Sequence, residues 1–200
     1  MSVRVTVHPA VEPVSIADAK EHLRFDSAEM DQYLAGLITA CRRKVEEWEW
    51  RAHVTQTLEL ALDRFPSRDD GLIWMPRPPL QSPLVSIAYV DGDGVTQTLA
   101  ASLYDVDTAA EPGRVGPSYG NCWPATRDQR RAVIVTYKAG YGDGADNVPA
   151  ETRHAIKLLL GHLFRTPSAV TDLRLEEAPL AVQALLRTCW DARVLPFVNP

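Results

Sequence analysis

Twice along this chain the spacing of apolar residues changes period, and that change limits the fold more than any motif. Met30, Leu34, Leu37, Ile38, Cys41, Val45 and Trp48 recur at steps of three and four, which gathers them on one face of a long helix. From His53 the step becomes two. Leu58, Leu60 and Leu62 alternate with Thr57, Glu59, Ala61 and Asp63, the pattern of a half-buried strand. The helical step returns after Pro149, with Ile156, Leu159, Leu160 and Leu163. Helices, then strands, then helices predict an α+β fold. Its simplest form is a helical bundle built from the N- and C-terminal thirds, with an inserted antiparallel β subdomain. On this reading 1–51 is the first helical part, 52–140 the β insertion, and 141–200 the second helical part with its tail.

Local signals fill in the elements. Pro13 and Ser15 stop an extended N-terminal segment, and Ser15, with Asp18 three positions on, predicts the start of a short helix running to about Arg24. Asp26-Ser27 predicts the start of the long one. "GLIWMPRPPL" reads as a strand stopped by prolines. "LVSIAYVDGDGVTQTL" reads as a hairpin turning on Asp91-Gly92-Asp93-Gly94, where positive φ is cheap. "LYDVDTAAEPGRVGP" and "RAVIVTYKAGYG" supply further strands. Pro167 ends the helix that follows Pro149, and a last helix from about Pro179 carries Leu180, Leu185, Leu186, Cys189 and Trp190.

The 200 residues carry a formal charge of −5, which argues against binding nucleic acid through bulk electrostatics. Arg42-Arg43-Lys44 and the group Arg127, Arg130 and Arg131 are short and flanked by acids; they read as solvated or interface faces. Three widely spaced cysteines, Cys41, Cys122 and Cys189, offer no zinc spacing and imply reduced thiols in a cytosolic chain. No run has the ~18 apolar residues of a membrane span.

"TYKAGYGDGADNVPAETRHAI" places a glycine-rich loop between a strand and a helix, as phosphate-binding sites do. Yet Gly140, Gly142 and Gly144 form G-x-G-x-G, with no Lys-Ser/Thr to follow. Pro149 lacks the N–H that a helix N-terminus offers an anion, and Asp143 and Asp146 would repel one. A calcium reading of Asp143, Asp146 and Asn147 lacks loop spacing. The loop reads as a junction between sheet and bundle.

Nothing else assembles into catalysis. His8, His22, His53, His154 and His162 are scattered, and no nucleophile elbow, zincin helix or kinase signature occurs. Asp105 and Asp107 share one side of a strand but read as solvated carboxylates. Cys122, beside Trp123-Pro124, reads as a packed thiol rather than a reactive one. The residues predict no enzyme, cofactor or metal.

Several stretches in series resemble a known family. "EPVSIADAKEHLRFD" is followed by "YLAGLITACRRKVEEWEWRAHVTQTLELALDRFP", "MPRPPLQSPLVSIAYVDGDGVTQTL", "YDVDTAAEPGRVGPSYGNCWPATR" and "VIVTYKAGYGDGADNVPAETRHAIKLLLGHLF". In this order, over about residues 10 to 170, they resemble the head–tail connector (adaptor) proteins of long-tailed bacteriophages, prophages and gene transfer agents, in the subtype with a β insertion.

The resemblance implies a virion structural protein without chemistry. Such adaptors form a homo-oligomeric ring, usually of about twelve copies, under the portal protein. They extend the DNA channel without specific DNA binding and present a surface to the stopper. It also implies that the C-terminal segment docks on the portal. Here the apolar residues of that segment are Trp190, Val194, Leu195, Pro196, Phe197 and Val198. The alternatives are another neck protein, a stopper or tail-completion protein, or a small ligand-binding protein or enzyme using the Gly140–Gly144 loop.

Overall fold

The computed structural model describes residues 1–66, 71–165 and 180–189. Two compact units emerge. One combines Met1–Ala10 with Trp50–Tyr141; the other combines Val11–Glu49 with the described residues from Gly142 onward.

The first unit is all β. Strands β1 (Ser2–Val7), β2 (Gln56–Leu62), β8 (Val133–Ala139), β4 (Ser86–Val90) and β5 (Thr96–Thr98) form an antiparallel five-stranded sheet in the order β1-β2-β8-β4-β5. A second antiparallel sheet has the order β3 (Ile73–Trp74), β7 (Arg114–Pro117), β6 (Tyr104–Asp107). Period-two burial holds in the central strands: Leu58 and Leu60 of β2, and Val133, Val135 and Tyr137 of β8, join Ile73, Met75, Ile87 and Val115 in one core. Tyr137 can be buried because its hydroxyl donates to the Pro76 carbonyl at 2.7 Å.

The predicted hairpin forms between β4 and β5. Asp91 fixes the turn by accepting the amides of Asp93 (3.1 Å) and Val95 (2.9 Å), while Gly94 takes φ +86°.

Two expectations shift here. The strand in "GLIWMPRPPL" is cut to Ile73–Trp74, and beyond it Leu80 makes only an isolated bridge to Ala139. Residues 2–7, an extended segment in the sequence reading though grouped within 1–51, form a strand on β2. The alternating Val3, Val5 and Val7 favour an extended backbone, and β2 presents them with an otherwise open edge.

The second unit is helical: α1 (Ile16–Leu23), α2 (Asp31–Glu49), α3 (Ala150–Arg165) and α4 (Leu180–Cys189). A capping box starts α1, as the spacing predicts: Ser15 Oγ accepts the Asp18 amide at 3.1 Å, and Asp18 Oδ2 accepts the Ser15 amide at 3.1 Å. A single 3₁₀ turn, Ala28–Met30, capped by Ser27, precedes α2. The N-terminal and C-terminal helices pack together, α2 on α3, with α1 against both and α4 on α3. Ile38, Cys41 and Val45 of α2 meet Ile156, Leu159 and Leu160 of α3 and Val182 of α4 in a separate core.

Arg42 departs from its solvated reading. It is 2% exposed, donating to Glu12 at 2.7 Å and to Glu46 at 2.7 Å. Successive helix residues lie 100° apart, so Arg42 follows Cys41 onto the inner side while Arg43 faces water. Arg127, Arg130 and Arg131 are exposed, and Arg131 pairs with Glu59 at 2.8 Å.

Candidate functional site

The glycine loop begins where β8 ends. Gly140 adopts φ +134° because its α-carbon lies against backbone; a Cβ there would sit 2.6 Å from Thr55 N and 2.7 Å from Val54 O. Its amide donates to the Pro79 carbonyl at 3.0 Å, and its carbonyl accepts Gln81 Nε2 at 2.9 Å. Tyr141 N donates to His53 O at 2.9 Å. Further on, Gly144 N donates to Asn147 Oδ1 at 3.1 Å. A phosphate cradle needs free amides converging on one point. Here the amides of Gly140, Tyr141 and Gly144 are already engaged with protein oxygens, so the loop pins chain to chain.

Beside it, Arg51 is a second pinning residue. Its guanidinium pairs with Glu111 and donates to the Tyr141 hydroxyl at 3.2 Å. The Arg51 side chain is 4% exposed while that of Glu111 is 43% exposed, so the guanidinium is buried and the carboxylate reaches water.

The other sequence candidates do not converge. His53 is buried and His22 half-buried, while His8, His154 and His162 are exposed. Among the described residues no group of three or more His, Cys, Asp or Glu side chains is arranged to hold a metal ion. Asp107 accepts the amides of Ala109 and Ala110 and pairs with Arg114 at 2.8 Å. That Arg114 bond holds its carboxyl below the usual range, while Asp105 faces water.

Cys122 is exposed rather than packed. Its neighbour takes the packed position: Trp123 stacks on Phe65 at 4.7 Å between centroids and 6° between planes, and its Nε1 donates to Gly71 O at 2.6 Å. Trp123 is half-buried against Phe65 while Cys122 is exposed. Cys41 is fully buried in the helical core, and burial pushes its thiol up to about 12. Trp190, Val194, Leu195, Pro196, Phe197 and Val198, the residues expected to dock, lie outside the described residues.

One feature escaped the sequence reading. In the helical unit an open cleft of about 340 Å³ lies between the start of α1 and the first turns of α3, with Arg153, His154 and Lys157 on one wall. The signal for it was the i, i+4 spacing of Arg153 and Lys157 one helical turn past Pro149, which puts both cations on one side of α3.

The fold has close counterparts among solved structures. Over 100% of both chains it superposes with TM-score 0.77 and 21% identity on a chain from the neck of an empty gene transfer agent particle computed with C6 symmetry. A chain from the virion of a native gene transfer agent particle gives TM-score 0.76 at 22% identity, over 98% of each chain. One from the neck of a native particle computed with C12 symmetry gives 0.70 at 22% identity, over the full length of both. No family model matches the sequence, and no curated protein does either. The chain therefore shares the complete fold of these neck and virion chains, β unit and helical unit alike.

Proposed function

We propose that this protein is a structural component of the neck of a phage-like particle, of the gene transfer agent kind, and within it the head–tail adaptor. In this role it forms a ring of twelve copies beneath the portal protein, extends the DNA channel and offers its far side to the stopper. The observation that carries the reading is the likeness along the full length of both chains to neck chains of symmetric particles. A shared fold hosts many functions, so the loop geometry matters as well. With the amides of Gly140, Tyr141 and Gly144 engaged internally, the stretch that most resembles a ligand site is a junction.

The last residues, with Trp190 and Phe197 as aromatic anchors, dock on the portal in this proposal. The chain is made in the bacterial cytoplasm and ends in the virion. The DNA passes through the ring without sequence-specific contact, in keeping with the chain's formal charge of −5.

The test is affinity purification of the tagged protein from particle-producing cells, with partners identified by mass spectrometry and the complex imaged. Co-purification with portal and neck proteins in a twelve-fold ring is expected. A ring of tail proteins lacking the portal would shift the role to tail completion. Recovery of the protein alone while particles form would overturn the neck reading.

A further inference from the structure

We infer that the cleft between α1 and α3 is a docking site for an extended acidic segment of another protein, its carboxylates held by Lys157 and Arg153 and its apolar side chains by Pro13 and Val14. The site is independent of the ring reading, because each feature that builds it lies within the helical unit.

The wall facing the cations is apolar and fixed. Pro13 and Val14 are buried, and the capping box at Ser15 immediately after them holds their backbone in place. Ala150 contributes the first residue of α3 to the lining, where the amide dipoles of a 16-residue helix leave partial positive charge.

The cations are not neutralised by the acids nearest them. Asp18 lines the cleft, but its Oδ2 accepts both the amide and the hydroxyl of Ser15, at 3.1 and 2.6 Å. Lys157 and Arg153 act on it only as nearby charges. Among the described residues Lys157 makes no ion pair or hydrogen bond. Arg153 pairs at 3.2 Å with Asp146, a side chain 99% exposed and so screened by water. Its Nε is buried and has no acceptor. His154, on the same wall, lies edge-on to His22 at 6.2 Å between ring centroids.

Charge complementarity selects a peptide over DNA. A duplex presents a continuous row of phosphates and needs a run of cations to match it. Here the cleft holds two cations beside Asp18, and one of them, Arg153, is paired with Asp146, which is no such run. An extended peptide offers single carboxylates between apolar side chains, which fits alternating cations and apolar wall.

The test uses the full-length protein and fluorescence anisotropy at low salt. The probe is a fluorescein-labelled peptide of alternating leucine and glutamate, six residues long. A leucine–glutamine version and a labelled 20-base-pair duplex are the comparisons. Saturable binding of the glutamate peptide is expected, with an affinity at least about ten-fold above that of the glutamine peptide. Lys157→Glu should abolish it, and Lys157→Met, which keeps the aliphatic stem, should weaken it about ten-fold. Circular dichroism identifies any variant that fails to fold, and the methionine variant then decides alone. Absence of saturable binding, or binding indifferent to Lys157→Met, overturns the proposal. Duplex binding that Lys157→Met removes would reassign the cleft to nucleic acid.

Discussion

Replacing Gly140 by alanine is the sharpest test of the junction reading, because structure and ligand hypotheses predict different outcomes across the same loop. A Cβ on Gly140 would stand 2.6 Å from Thr55 N and Val54 C, where carbon contacts prefer about 3.5–4 Å. Those atoms are backbone, and their retreat would disturb the Tyr141 N–His53 O bond of 2.9 Å. Relief of such overpacking costs about 1–3 kcal/mol, and φ +134° adds about 1–3 kcal/mol of strain for a residue with a side chain. The stiffer unfolded chain returns about 0.4–1 kcal/mol. The net loss is about 1–5 kcal/mol, a large part of a typical domain's ~5–15 kcal/mol. Gly144 has φ −102°, and its Cβ would meet only Asn147 Oδ1 at 3.3 Å; alanine there should shift stability by about 0.5 kcal/mol or less. Urea unfolding followed by tryptophan fluorescence and circular dichroism reads both. With a slope of about 2 kcal/mol/M, Gly140→Ala should lower the midpoint by about 0.5–2.5 M and Gly144→Ala barely at all. A loop whose glycines serve a bound phosphate would penalise neither in the free protein. Equal stability of the two variants would refute the argument.

Further outcomes follow from other sites. Arg42→Met leaves Glu46 buried beside a lost cation and should cost about 2–4 kcal/mol, while Arg42→Met with Glu46→Leu should recover most of it; denaturant titration of the two variants decides. Trp123→Ala removes both the Phe65 stack and the Gly71 bond and should cost about 2–4 kcal/mol. Tyr119→Ala, at a fully exposed side chain, should stay within about 0.5 kcal/mol in the same melts. A maleimide should label Cys122 in the native protein and reach Cys41 only on unfolding, as peptide mapping would reveal; native labelling of Cys41 would contradict its burial. Burial, aided by Lys157, His154 and Arg165, depresses the His22 pKa, so the folded state binds a proton less readily than the unfolded one. That contribution to stability is complete above the ordinary histidine pKa of ~6.5 and falls as pH drops toward the folded value. On acidification through that range the protein should therefore lose melting temperature relative to His22→Asn; a relative gain would reverse the sign.

The features legible along the chain were local or periodic. The three-and-four spacing of Leu34, Ile38, Cys41 and Val45 dictated α2 and its buried face. The alternation of Leu58 and Leu60 dictated β2, and Ser15 with Asp18 dictated the start of α1. In each case the information lies within one or two turns of chain, where propensity, capping and period act. G-x-G-x-G was also legible as something other than a phosphate loop, because the missing Lys-Ser/Thr is a local fact.

Other features depended on partners distant in sequence. Residues 2–7 became a strand because β2, more than fifty positions on, offered an open edge. Arg42 became buried because Glu12 reached it from thirty residues away; from the run Arg42-Arg43-Lys44 alone a solvated face was the better reading. Cys122 faces water while Trp123 packs on Phe65. The cleft walls, Pro13–Val14 and Arg153–Lys157, come from opposite ends of the chain. A side chain's environment is a sum over neighbours in space, and the sequence orders only the neighbours along the chain.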